Sequence, residues 1–136
     1  MARGHCFCGF VQYETSVLPH GAVNCHCSIC RRTSGATFVS WFTVSRDAFR
    51  FVAGEPAMFR SSTYALRTFC PRCGTPLTFA SDRTPDEVDV TTGSLDDPAQ
   101  VAPRAHIHTG SKLAWVELSD GLPQFVGEGA TAERDS

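Results

Sequence analysis

Seven cysteines in three tight clusters constrain this chain more than any other feature of its sequence. They are Cys6 and Cys8 in CFCG, Cys25, Cys27 and Cys30 in NCHCSICRR, and Cys70 and Cys73 in CPRCG. A disulfide framework favours an even count and a secreted setting. An odd count at spacings of two and three residues points to thiolates gathered round metal ions instead. Whatever the fold, it has to bring sulfur atoms from distant parts of the chain together.

The spacings suggest how the seven divide. In CPRCG the proline sets a turn, and the glycine lets the backbone fold over a metal and aim N–H groups at the sulfurs. In CFCG the i, i+2 spacing puts both sulfurs on one side of an extended segment. Cys6, Cys8, Cys70 and Cys73 together would close a tetrahedral structural zinc site. That leaves Cys25, Cys27 and Cys30, and three protein ligands with one open position is the arrangement of catalytic zinc. Two other arrangements fit the same spacings. A histidine among His5, His26, His106 and His108 could complete the triplet as a second closed site, or Cys6 and Cys8 could combine with Cys25 and Cys27. His26, between two cysteines, is expected to point away from the ion. A three-thiolate zinc carries net negative charge, which Arg31, Arg32 and a short helix starting near Ser28 are placed to soften.

Composition sets the remaining bounds. The 136 residues suit one domain with a real core, expected over residues 1–126, with a flexible tail over 127–136. A net charge of -2, with Lys112 the single lysine among twelve basic residues, disfavours a nucleic-acid partner. No apolar run approaches the roughly 18 residues that span a bilayer. The opening MARGHCFCGF lacks the apolar stretch of a secretory leader, so a cytoplasmic location with reduced thiols is the expectation.

Strand patterns dominate the chain. They cover residues 9–15, 37–44, 57–70 (two short strands around Ser61 and Ser62), 76–81, 87–95 and 112–118. Helical periodicity is confined to a turn or two around 28–34 and to 45–49, where SRDAF resembles a capped start. A mainly β fold of short antiparallel strands with very little helix follows. Phe38, Trp41, Phe42, Phe69 and Trp115 are assigned to the core, and His106 and His108 to one face of a strand.

The stretches GHCFCGFVQYE, CHCSICRRTSGA, FCPRCGTPL and HIHTGSKLAWVELSDGLPQF resemble, in order and spacing, the glutathione-dependent formaldehyde-activating enzyme family, which includes centromere protein V-like proteins. The resemblance implies a β-tent-like fold with two zinc ions. Cys6, Cys8, Cys70 and Cys73 would be the structural ligands, and Cys25, Cys27 and Cys30 the catalytic ones. It also implies a carbon–sulfur lyase reaction between formaldehyde and the thiol of glutathione. Zinc would act by lowering the thiol's pKa or by polarising the aldehyde. Arg31, Arg32, Arg60 and Arg67 are the candidates for gripping the thiol's carboxylates. The competing readings are a non-catalytic zinc-binding interaction module and a zinc or thiol sensor.

Overall fold

The computed structural model describes residues 1–129, a mainly β arrangement with a single α-helix. A small antiparallel sheet runs β1 (Ala2–His5), β2 (Gln12–Thr15), β5 (Phe49–Ala53). A larger sheet has seven strands. Its order is β10 (Ala105–Ile107), β3 (His20–Cys25), β4 (Val39–Ser45), β9 (Glu87–Thr91), β8 (Pro76–Ser81), β7 (Ala65–Phe69), β6 (Ala57–Arg60). Every pairing is antiparallel except β10 with β3, which is parallel and sets Ile107 beside Cys25.

The middle of the large sheet is buried on both faces. In β4 (VSWFTVS), Phe42 and Val44 enter one core with Val11, Tyr13, Leu77, Val90 and Leu95. Val39 and Trp41, of opposite parity, enter a second core with Val23, Ala105 and Ile107. β-Branched and aromatic residues at five of its seven positions, Val39 and Trp41 to Val44, are what a strand covered on both sides needs. Burying Phe42, Val44, Leu77 and Val90 completely contributes about 1.5–3 kcal/mol each. Each core contains one cysteine group: Cys6 and Cys70 lie in the first, Cys25 and Cys30 in the second.

The helix α1 occupies Ser28–Ser34, where periodicity places it. Cys27 is its N-cap, and Gly35 ends it at φ 75°, donating its N–H to the Arg31 carbonyl. This is the left-handed stop that glycine makes without steric cost.

Several expectations are revised. Residues 112–118 form a turn, not a strand: Val116 N–H bonds the Leu113 carbonyl, and the Lys112 ammonium donates to the Leu113 and Val116 carbonyls. Trp115 is 70% exposed and is not a core residue. Its surroundings have strand formers but no strand to pair with, and pairing decides. His106 is buried in β10, whereas His108 leaves the strand at φ 55°, so the two do not share a face. SRDAF gives a 3₁₀ turn over Arg46–Ala48, and Ser45 makes no side-chain cap bond. Of the expected tail, 130–136 lies outside the described residues, and the Gly127 carbonyl accepts from His108 N–H at 2.7 Å.

Gly54 shows how closely the small sheet approaches the loop that carries Cys6 and Cys8. Its φ is +71°, and a Cβ there would run into the Phe10 carbonyl oxygen. Gly54→Ala should therefore cost about 2–4 kcal/mol, from overpacking and a left-handed backbone together. Denaturant unfolding measures this, and an unchanged midpoint would contradict the close approach.

Candidate metal centres

The two cysteine pairs occupy matching loops. Cys6 N–H bonds the Val11 carbonyl and Cys70 N–H the Thr75 carbonyl, both at 3.0 Å. Each loop turns through a glycine at φ 81°, Gly9 in one and Gly74 in the other. A Cβ at either glycine would meet nothing within 4 Å, so the glycines serve backbone conformation alone. N–H groups aim at sulfur in both loops: Val11 at Cys6 (3.3 Å), Arg72 and Cys73 at Cys70 (3.3 and 3.4 Å). Thr75 joins the loops, its hydroxyl accepting from Phe7 N–H at 3.0 Å and meeting Cys73 Sγ at 3.3 Å. The Arg72 guanidinium lies 3.8 Å over the Phe10 ring.

In this arrangement the ligand atoms of Cys6, Cys8, Cys70 and Cys73 all lie within 4.8 Å of one another. The Sγ–Sγ separations of Cys6 to Cys8 and Cys8 to Cys70 are both 3.7 Å. That is far beyond a disulfide bond. It matches the edge of about 3.8 Å of a tetrahedron with zinc–sulfur bonds of about 2.3 Å. The Thr75 hydroxyl and backbone bonds pull the Cys73 thiol down to about 5, as a thiolate ligand requires. These four residues could hold a zinc ion and leave no position open.

The triplet is built differently. β3 ends at Cys25 opposite Val39, and the chain then turns through Cys27 into α1, which carries Cys30. The three ligand atoms again lie within 4.8 Å of one another, and among the described residues no histidine or carboxylate joins them. Neither the histidine-completed triplet nor the mixed grouping of Cys6 and Cys8 with Cys25 and Cys27 is formed. Cys25 and Cys30 are buried, and Cys27 is partly exposed. The Cys27 sulfur accepts from Cys30 N–H at 3.2 Å. Three crowded thiols cannot all ionise alike. Bonds from the Cys25 and Cys30 thiols pull Cys27 down to about 2, while the same neighbours and burial push Cys25 strongly up.

The cation beside this triplet is Arg67 rather than Arg31 or Arg32, whose side chains make no hydrogen bond to it among the described residues. Arg67 lies on β7, only 9% exposed, with one guanidinium nitrogen 3.9 Å from Cys30 Sγ. Its other nitrogens donate to Thr33 Oγ1 (3.1 Å) and Ser61 Oγ (3.2 Å), and its plane lies over Phe79 and Trp41 at 4.9 and 5.9 Å. No carboxylate pairs with it among the described residues. A buried guanidinium without an anion is costly, and the thiolate cluster is the anion within reach. Arg60 instead bonds the nearby Thr63 carbonyl. Sequence named Arg67 for a different task, because a β-strand partner so far from α1 is invisible without the sheet. A groove of about 1080 Å³ lined by Met1, Arg3, His20, Arg104 and Pro123 includes none of the cysteines.

Residues 1–111 match the family described as glutathione-dependent formaldehyde-activating enzyme. A Halomonas elongata protein provisionally assigned that activity is 30% identical, the match covering 87% of this chain and 81% of that protein. An uncharacterized lyase of Schizosaccharomyces pombe is 29% identical over 78 residues, 57% of this chain and 56% of the lyase. The crystal structure of a Rhodobacter sphaeroides protein superposes with a TM-score of 0.60 at 26% identity, covering 90% of this chain and 98% of that one. No helix among the described residues is long and apolar enough to cross a membrane.

The charge distribution in the triplet is open to a direct check. In metal-free, reduced protein, Cys27 should react with iodoacetamide at a rate nearly flat from about pH 5 to about pH 9, because a depressed pKa leaves it a thiolate throughout. Cys25, with its pKa raised, should stay unmodified over that range. Peptide mapping reads both, and a Cys27 rate that rises tenfold per pH unit would contradict the assignment.

Proposed function

This chain belongs to the glutathione-dependent formaldehyde-activating enzyme family, and on that footing we propose that it is a zinc-dependent carbon–sulfur lyase. Its reaction would join a small glutathione-like thiol to formaldehyde and, in reverse, cleave the adduct. The observation that carries this reading is the triplet itself: three converging thiols, no fourth ligand among the described residues, and beside them a buried arginine that no carboxylate of those residues pairs with.

The divided cysteines give the chain two distinct tasks. Cys6, Cys8, Cys70 and Cys73 would hold a structural zinc, and Cys25, Cys27 and Cys30 the catalytic one. When bound at the triplet, zinc supplies a position at which an incoming thiol is deprotonated near neutral pH. The reaction balances without redox change. The thiol sulfur bonds to the carbonyl carbon, the C=O π pair moves to oxygen, and that oxygen takes up the proton the thiol gave away. Arg67 offsets the negative charge of the thiolates and stays rigid through Thr33, Ser61 and the two rings. Partly exposed Cys27 marks the side from which a thiol can approach. A reduced intracellular setting suits seven unpaired thiols.

Formaldehyde and glutathione also combine unaided, so the test is an exchange rate. Carbon-13 exchange spectroscopy on labelled formaldehyde with glutathione should show acceleration by the wild-type protein. Cys27→Ser should fall to the uncatalysed rate with its circular dichroism unchanged, and Arg67→Met should lose about tenfold or more, the scale on which removing a supporting residue acts on a metal site. A Cys27→Ser protein that keeps the acceleration would overturn this reading.

A further inference from the structure

The late stretch HIHTGSKLAWVELSDGLPQF supplies none of the cysteines, yet it reaches the triplet. His106 Nε2 lies 2.7 Å from Asp120 Oδ2, and His106 Nδ1 lies 3.0 Å from His26 Nε2. Both imidazoles are 1% exposed. His26 sits between Cys25 and Cys27, its backbone N–H on the Ile107 carbonyl at 3.0 Å and its ring against Phe38 at 4.8 Å between centroids. The strap that carries Asp120 is itself held, by His106 N–H to the Pro123 carbonyl and Phe125 N–H to the His106 carbonyl, both 2.9 Å.

The protons on this chain follow in order from its outer end. The His106 bond, with Leu122 N–H on the other oxygen at 3.0 Å, holds the Asp120 carboxyl below the usual carboxylate range. An ionised carboxylate only accepts, so His106 carries its proton on Nε2. With His106 neutral, its Nδ1 accepts and His26 donates from Nε2. His26 Nδ1 is left as a bare acceptor, buried and without a partner among the described residues. The ring is therefore held at Nε2 alone, by its bond to His106, while its other nitrogen goes unmet.

We propose that Asp120, acting through His106 and His26, is a positioning residue for the turn that carries Cys25 and Cys27. Carboxylate–histidine pairs behind a metal site set ring orientation in the same way, here with a second imidazole passing the constraint to the backbone between two ligands. The proposal rests on the functional reading only in treating the triplet as a zinc site.

The four-cysteine cluster serves as an internal control. In zinc-loaded protein challenged with a chromogenic chelator, Asp120→Ala should speed release from the triplet by about 10–100-fold and leave the other zinc unaffected. Asp120→Asn keeps an acceptor oxygen for His106 and should stay within about threefold of wild type. Long-range proton–nitrogen spectra should show Nε2–H tautomers for His26 and His106 in the wild type, and a changed His106 in Asp120→Ala. Equal acceleration of both zincs, no acceleration of either, or an Asn variant that behaves like Ala would overturn the proposal. So would a proton on His106 Nδ1. If the chain binds one zinc only, the functional reading fails, and the histidine spectra of wild type and Asp120→Ala decide the relay separately.

Discussion

The structure depends on four sulfur atoms meeting where its two sheets come together. Cys6 and Cys8 follow β1 of the small sheet, and Cys70 and Cys73 form the turn between β7 and β8 of the large one. Other contacts cross the same boundary, including the Tyr13 hydroxyl to Ser94 Oγ at 2.7 Å and the bridge of Gly4 with Leu95. These are single polar links. Cys6 and Cys70 are fully buried in the first core, while Cys73 is half-buried and Cys8 exposed, and four clustered thiols gain little from one another without a shared cation. A metal at that point would tie the first strand of the chain to its middle, and so order everything folded between them.

The triplet depends on that framework without being part of it. β7 connects the two: it ends at the turn that holds Cys70, and midway along it Arg67 crosses to Cys30. Parallel pairing of β10 with β3 brings His106 alongside Asn24 and Ile107 alongside Cys25, so the C-terminal strap is tied directly to the cysteine triplet. Cys25 and Cys30 are thus fixed by a core, while Cys27 keeps an open side. A rigid ligand set with one accessible face is suited to binding a substrate, whereas a closed four-thiol set is suited to holding a fold.

Much of this was legible in the sequence because metal-ligating clusters are local. The spacings of CFCG, CPRCG and CHCSIC suggest a division into four and three alongside two other groupings, the fold brings the sulfurs together as four and three, and the strong β4 and β8 patterns are read directly. Weaker strands such as β1 (ARGH) and β3 (HGAVNC) carry few strand-forming side chains and exist because neighbours pair with them. The converse holds at residues 112–118, where strand-forming residues find no partner. Asp120 was illegible as a site residue for the same reason, and Arg67, a candidate for holding carboxylates, was not placed beside the cysteine triplet. Their roles come from which strand lies beside which, and SDGLP alone looks like any turn.

The most direct test of this account is to count zinc in the intact chain by native mass spectrometry, in wild type and in Cys27→Ser. Two zinc ions are expected in the wild type and one in the variant, with the variant still folded. A single zinc in the wild type, or two retained in Cys27→Ser, would contradict the division of the seven cysteines into a structural four and a working three.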